Sequence, residues 1–305
     1  MVSYFSSPSD HLDPALFDED KLKDSVRTPL ISAVSETLHK AGLNHPDTWL
    51  LIWLTGSGIT YQWADNHDLD VQIGIQYDKF LNANPQFKWV SITDVENRIN
   101  NYLRTFLWPK MENATFDGKQ FTVTYFWNSY VESDIMLINP YAAYDIMKDN
   151  WVQKPPSVPS DPKTLYPEAW FGAASDDEHS SVRISSVYSD ASRELAAYAP
   201  GSPNYVNAQS RMNLMAAQAQ SLYDDIHKGR QQAFVPGGKG YFDWHNFRWQ
   251  QSKESGTKDR LKGVIHVHDQ VKRAQDVALY GKPIASAQEA LEDAMNLRLG
   301  RRYGS

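Results

Sequence analysis

Hydrophobic and polar positions along the chain change period several times, and each change marks an element. Leu30, Val34 and Leu38 recur at helical spacing, with Thr28 as the expected N-cap, Pro29 at the first helical position and Gly42 just past the end. After a loop at 44–47, the unbroken apolar run from Trp49 to Leu54 predicts a strand buried on both faces and stopped by Gly56. Residues 68–76 then alternate: Leu69, Val71, Ile73 and Ile75 are apolar, whereas Asp68, Asp70 and Gln72 take the opposite parity. This is the pattern of a half-buried strand with acids on its polar face.

Thr93 and Glu96 have capping-box spacing ahead of Val95, Ile99, Leu103 and Phe106, so a helix is expected up to Pro109. Asp117-Gly118 predicts a hairpin turn, and Phe121 to Trp127 has strand composition. A third acidic strand over 131–138 would set Glu132, Asp134, Met136 and Ile138 on one face. Residues 151–161, rich in Pro, Ser and Lys, suggest a linker, and 161–200 has no clear period. Helices are expected at 203–227, 258–280 and 287–299, the last with a Ser286/Glu289 capping box. The expectation is an α+β fold with a mixed sheet flanked by helices over 1–150, an irregular segment at 151–200 and a helical C-terminal domain at 201–305.

Composition narrows the chemistry. The 305-residue chain has no cysteine, which excludes disulfides, thiolate metal sites and cysteine nucleophiles. Its longest apolar run is too short to span a bilayer and its first twelve residues lack a basic-then-apolar leader, so the expected setting is cytoplasmic, away from membranes. Net charge is −7, distributed as −9 over 1–150, −2 over 151–220 and +4 over 221–305. An acidic front half suits a long nucleic-acid groove poorly, while the basic tail keeps RNA open as a partner.

Asp68 and Asp70, one residue apart on a strand, project to the same side, near enough for both carboxylates to reach one divalent cation or a pair of them. Such like charges repel and call for a compensating cation. Asp134 is a candidate third oxygen ligand, with Glu132 as its alternative on the same strand face. An Asp-x-Asp at a strand start also serves turns and caps, which stays open at this point. Upstream, Gly56-Ser57-Gly58 leaves the buried strand as a small-residue turn whose N–H groups, with the Ser57 hydroxyl, suit the distal phosphates of a nucleoside triphosphate. Tyr61 and Trp63 follow, placed either to stack on a base or to pack under the sheet, and Arg183, Arg193, Lys239 and Arg248 are the cations considered for the triphosphate or a polyanionic acceptor.

Leu54-Thr55-Gly56-Ser57, then Asp68-Leu69-Asp70-Val71 after a short gap, then a later acid at Asp134, resembles the signature of the nucleotidyltransferase superfamily with the DNA polymerase beta-like fold. The resemblance covers about residues 28–140. It implies that Gly56 and Ser57 hold a nucleoside triphosphate such as ATP, and that Asp68 and Asp70 bind two magnesium ions. Asp134 would complete the second metal site and help deprotonate an acceptor hydroxyl, with pyrophosphate leaving. The acceptor stays open among an RNA or DNA end, a small molecule and a protein side chain. A nucleotidyltransferase-fold binding or assembly protein without turnover is the competing expectation, and a two-metal phosphohydrolase ranks below both.

Overall fold

The computed structural model describes residues 5–63, 67–128 and 134–282, with nothing stated for the Leu279 side chain. A two-stranded ribbon, β1 (Phe17–Asp18) with β2 (Lys21–Leu22), precedes helix α1 (Asp24–Lys40) and a single turn α2 (Pro46–Trp49). Strands β3 (Leu50–Thr55) and β4 (Leu69–Ile75) follow, then helices α3 (Tyr77–Ala83), α4 (Ile92–Phe106) and α5 (Trp108–Met111). Next come the hairpin β5 (Ala114–Phe116) and β6 (Lys119–Phe121), and strands β7 (Val123–Trp127), β8 (Ala143–Asp145) and β9 (Asn150–Gln153). Four further helices complete the described chain: α6 (Glu168–Ala197), α7 (Pro203–Ala233), α8 (Trp244–Glu254) and α9 (Thr257–Tyr280). None of the described helices is long and apolar enough to cross a membrane.

The architecture is mixed α+β. Its five-stranded sheet has the order β7-β4-β3-β8-β9; β4 and β7 run parallel and the other neighbours antiparallel. β3 lies at the centre with all six residues buried, as its unbroken apolar run predicts. Leu50, Ile52 and Leu54 join the main core with Val26, Leu30, Val34 and Leu38 of α1 and Val95, Ile99 and Leu103 of α4. Leu51 and Trp53, pointing the other way, pack with Ile135, Ile138, Ala143 and Phe234. The acidic parity of β4 belongs to this second face, because Trp53 pairs with Gln72 and Thr55 with Asp70.

Several local expectations change. α1 begins at Asp24, so Pro29 is inside the helix rather than opening it; burial of Val26 and Leu30 carries the helix across the missing proline N–H. α4 is capped by Ser91, whose hydroxyl accepts from Asp94 N–H, not by Thr93, and Phe106 at its end is exposed. Asp117-Gly118 makes the expected hairpin turn, both residues with positive φ. The strand expected over 131–138 is a 3-10 turn at Ile135–Ile138 with Asp134 as its N-cap; Glu132 lies outside the described residues. Residues 151–153 of the expected linker belong to the edge strand β9, paired with β8, and much of 161–200 is the 30-residue helix α6. The helix expected at 287–299 also lies outside the described residues.

Two compact units divide the chain. One comprises Met1–Ala174 with Ile226–Glu254, and the other Ser175–Asp225 with Ser255–Ser305. These boundaries differ from those expected at 150 and 200: the segment 226–254, late in sequence, belongs to the sheet-bearing unit. Within the second unit, Ile184, Tyr188 and Ala191 of α6, Met212 and Ala216 of α7 and Leu261 and Val264 of α9 are buried. Arg260 Nη1 there donates to the Ser181 hydroxyl at 2.5 Å, and Arg211 pairs with Glu194.

Candidate active site

The strands β3 and β4 bring the small-residue turn and the acid pair to one end of the sheet. At the end of β3 the chain turns through Gly56, whose φ of 86° and ψ of −176° suit a residue without a Cβ. It enters a 3-10 turn at Ser57–Ile59, closed when the Thr60 N–H and hydroxyl both donate to the Ser57 carbonyl, at 3.1 and 2.8 Å. β4 starts opposite: Thr55 pairs with Asp70, and a Cβ built on Gly56 would stand 2.7 Å from Asp70 Oδ2. The turn and the carboxylate are thus in direct contact, and only glycine fits between them.

Asp70 is held from both neighbouring strands. Its parallel partner across β7 is Thr124, whose hydroxyl donates to Asp70 Oδ1 at 3.1 Å, and the Thr55 hydroxyl donates to its carbonyl at 3.4 Å. Burial pushes the Asp70 carboxyl above the usual carboxylate range, and the charge of Asp68 pushes the same way. Arg230, the Thr124 hydroxyl and Lys253 oppose that rise. Asp68, one residue before the strand, is exposed. Its charge nonetheless acts on Asp70.

Asp134 is placed differently. It is exposed, and its Oδ1 accepts from the Met136 N–H at 2.9 Å, which is why the chain turns there instead of extending. Among the described residues no cluster of three or more His, Asp or Glu has the arrangement of a metal site. The structure therefore brings Gly56, Asp68 and Asp70 together, with Ser57 in the adjoining turn, and does not gather Asp134 with them.

Three contributors escape sequence reading. Thr124 has a weak signal, since the alternation of Thr122 and Thr124 with Val123 and Tyr125 puts the threonines on the polar parity of β7. Arg230 and Lys253 have none. Arg230, in the last turn of α7, lies with Cζ 5.5 Å from the Trp249 ring centroid and 5.8 Å from that of Phe234, and Lys253 Nζ is 5.9 Å from the Trp249 ring. Neither is one of the four cations considered from sequence; Arg183 and Arg193 belong to the other compact unit, where Arg193 pairs with Asp190. Tyr61 packs against the main core, and the Trp63 indole N–H donates to the His11 carbonyl at 3.0 Å, so both have roles within the fold.

No protein-family model matches the chain, and neither the curated proteins nor the solved structures contain a match to it.

Proposed function

We propose that the chain is a magnesium-dependent nucleotidyltransferase, which moves a nucleoside monophosphate from a triphosphate onto an acceptor hydroxyl and releases pyrophosphate. The observation that carries this is the contact of Gly56 with the Asp70 carboxylate, with Asp68 two residues before it. A turn able to approach an anion and a strained pair of carboxylates share one place, so phosphate and cation can meet there.

The donor set suits magnesium: two carboxylates, one of them driven toward protonation by burial and its neighbour, are relieved by a hard cation that keeps further positions for phosphate and water. Asp68 and Asp70 would hold it, and bound magnesium would neutralise charge developing on the transferred phosphoryl group and the leaving pyrophosphate. The Thr124 hydroxyl fixes Asp70 Oδ1. Gly56 and Ser57 would bind the triphosphate through N–H groups and the serine hydroxyl. Asp134 is retained as the third acid, helping to deprotonate the acceptor, in which role it would exchange its cap on Met136 for the site.

One observation favours a second reading, nucleotide binding without turnover: no third His, Asp or Glu among the described residues joins the pair. The two separate in one experiment. Purified protein is incubated with magnesium and each α-labelled nucleoside triphosphate, with and without total RNA. The enzyme gives labelled acceptor and pyrophosphate, both abolished by Asp68→Ala or Asp70→Ala. Retained nucleotide without pyrophosphate, whatever acceptor is supplied, supports the binder.

A further inference from the structure

Next to the acid pair lies a second group of ionisable side chains that the proposed reaction does not use. His67, immediately before Asp68, is buried, and so is Asp13. His67 Nε2 stands 2.8 Å from Asp13 Oδ2, and Nδ1 stands 3.1 Å from the carbonyl oxygen of Asp68. Lys119 Nζ reaches the same Asp13 oxygen at 2.7 Å, and Asp13 Oδ1 accepts from the Ala15 N–H at 2.9 Å. Burial raises the Asp13 carboxyl, but the bonds from His67, Lys119 and Ala15 outweigh it and hold the group at about 2, so it is an ionised acceptor. A carbonyl and a carboxylate face the two ring nitrogens. The ring therefore cannot rotate without losing one of these contacts.

The ring also touches the turn. A Cβ built on Gly58 would lie 2.4 Å from His67 Nδ1, 2.8 Å from Cε1 and 3.0 Å from the Asp68 carbonyl oxygen. The turn thus rests on the His67 ring and the Asp68 backbone together. Asp13 is itself fixed, because its carbonyl accepts from the N–H groups of Leu16 and Phe17, two core residues, at 3.0 and 2.9 Å. The segment leading to it is tied alongside: the Ser9 N–H donates to the Tyr61 carbonyl at 2.7 Å, and the Trp63 indole donates to the His11 carbonyl at 3.0 Å. Residues 9, 11 and 13 engage 61, 63 and 67 in turn.

We propose that His67, anchored by Asp13, is a positioning residue that sets the distance between the Gly56–Gly58 turn and the Asp68 carboxylate, making the N-terminal segment 9–13 a working part of the site. This rests on the proposed reaction. Filling space does not require a buried ion pair, which costs desolvation that apolar side chains avoid. Nor does it require a ring whose Nδ1 edge meets both the backbone of a candidate ligand and the turn, while Nε2 is held by Asp13. Groups one step removed from a metal's own ligands typically change its affinity or the reaction rate about 10–100-fold when removed.

The test compares the full-length protein with His67→Phe, His67→Gln and Asp13→Asn. Three quantities are read: Mn2+ affinity by paramagnetic relaxation of water, the kcat and KM for labelled triphosphate, and amide exchange. His67→Phe and Asp13→Asn are expected to weaken Mn2+ binding and lower kcat by about tenfold or more, with KM within about twofold. Faster exchange is expected over 56–60 and 67–70 alone. His67→Gln, which retains one donor, recovers part of the loss. Asp13→Asn keeps the oxygen that accepts from Ala15 and carries the comparison should His67→Phe not fold. Mn2+ affinity and kcat within twofold of wild type in the folded variants overturn the proposal. If the variants lose Mn2+ affinity but the wild type transfers label to no acceptor, the proposed reaction fails and the positioning role stands.

Discussion

Gly56 and Asp70 face each other across the end of the β3–β4 pair so closely that a methyl group on the first would stand 2.7 Å from Oδ2 of the second. Gly56→Ala therefore has two costs. The backbone at φ 86° strains any residue with a Cβ, by about 1–3 kcal/mol, and the carboxylate must move. Thermal unfolding is expected to drop by several degrees, and label transfer to fall about a hundredfold, the scale of a 1 Å misplacement. Transfer at the wild-type rate would separate the turn from the chemistry.

Asp70 has its carboxyl raised by burial and by Asp68, so its charged form works against folding. The unfolded carboxyl ionises near 3.8, and stability is lost as pH rises from there through the higher folded value. Asp70→Asn is expected to unfold at a higher temperature than wild type at pH 7, with the gain disappearing below about pH 4. Adding magnesium should raise the melting temperature of wild type and much less that of the variant. Calorimetry over a pH series, with and without the ion, reads both effects.

Asp13 behaves oppositely. Its carboxyl is held at about 2 against 3.8, so its contribution is complete above about pH 4 and is lost as pH falls toward 2. At 1.36 kcal/mol per unit that contribution is about 2 kcal/mol. Urea titrations should place Asp13→Asn about that far below wild type at pH 7, with the two curves converging toward pH 2. Equal stabilities at pH 7 would show that the bonds to His67 and Lys119 contribute nothing net.

Arg230 offsets Asp70 electrostatically, and its guanidinium lies over the rings of Phe234 and Trp249. Arg230→Ala removes the guanidinium and the stem, Arg230→Met the guanidinium alone. Chemical denaturation is expected to show a loss of about 1–2 kcal/mol for the first and less for the second, on the scale of a partly desolvated cation–π contact. Lys253→Ala, at an exposed position near the same indole, should cost less than either.

The Val235–Gly240 stretch looks in sequence like a surface turn with no strand before it, and the structure gives it a packing reason. A Cβ on Gly240 would lie 1.9 Å from the Asn139 carbonyl oxygen, and one on Gly238 2.4 Å from that of Ala233. The Asn139 side-chain amide donates to the Gly238 carbonyl at 2.5 Å. These glycines let the segment after α7 lie against the chain leading to β8.

By itself the sequence determined the elements whose signals are local. The unbroken apolar run of β3, the strict alternation of β4, the helical spacing of Val95, Ile99 and Leu103 and the Asp117-Gly118 turn all survive because burial and backbone sterics act over a few residues. The same alternation put Asp70 on the polar parity of β4. Tertiary structure decided the rest, where a local preference was outweighed or a partner came from far along the chain. Pro29 sits inside a helix because the core buries Val26 and Leu30 around it; Asp134 turns the chain by bonding Met136 N–H where periodicity suggested a strand. Asp13 with His67, and Arg230 with Asp70, meet only once the sheet has formed, since no spacing rule encodes the approach of residues that the chain itself does not join.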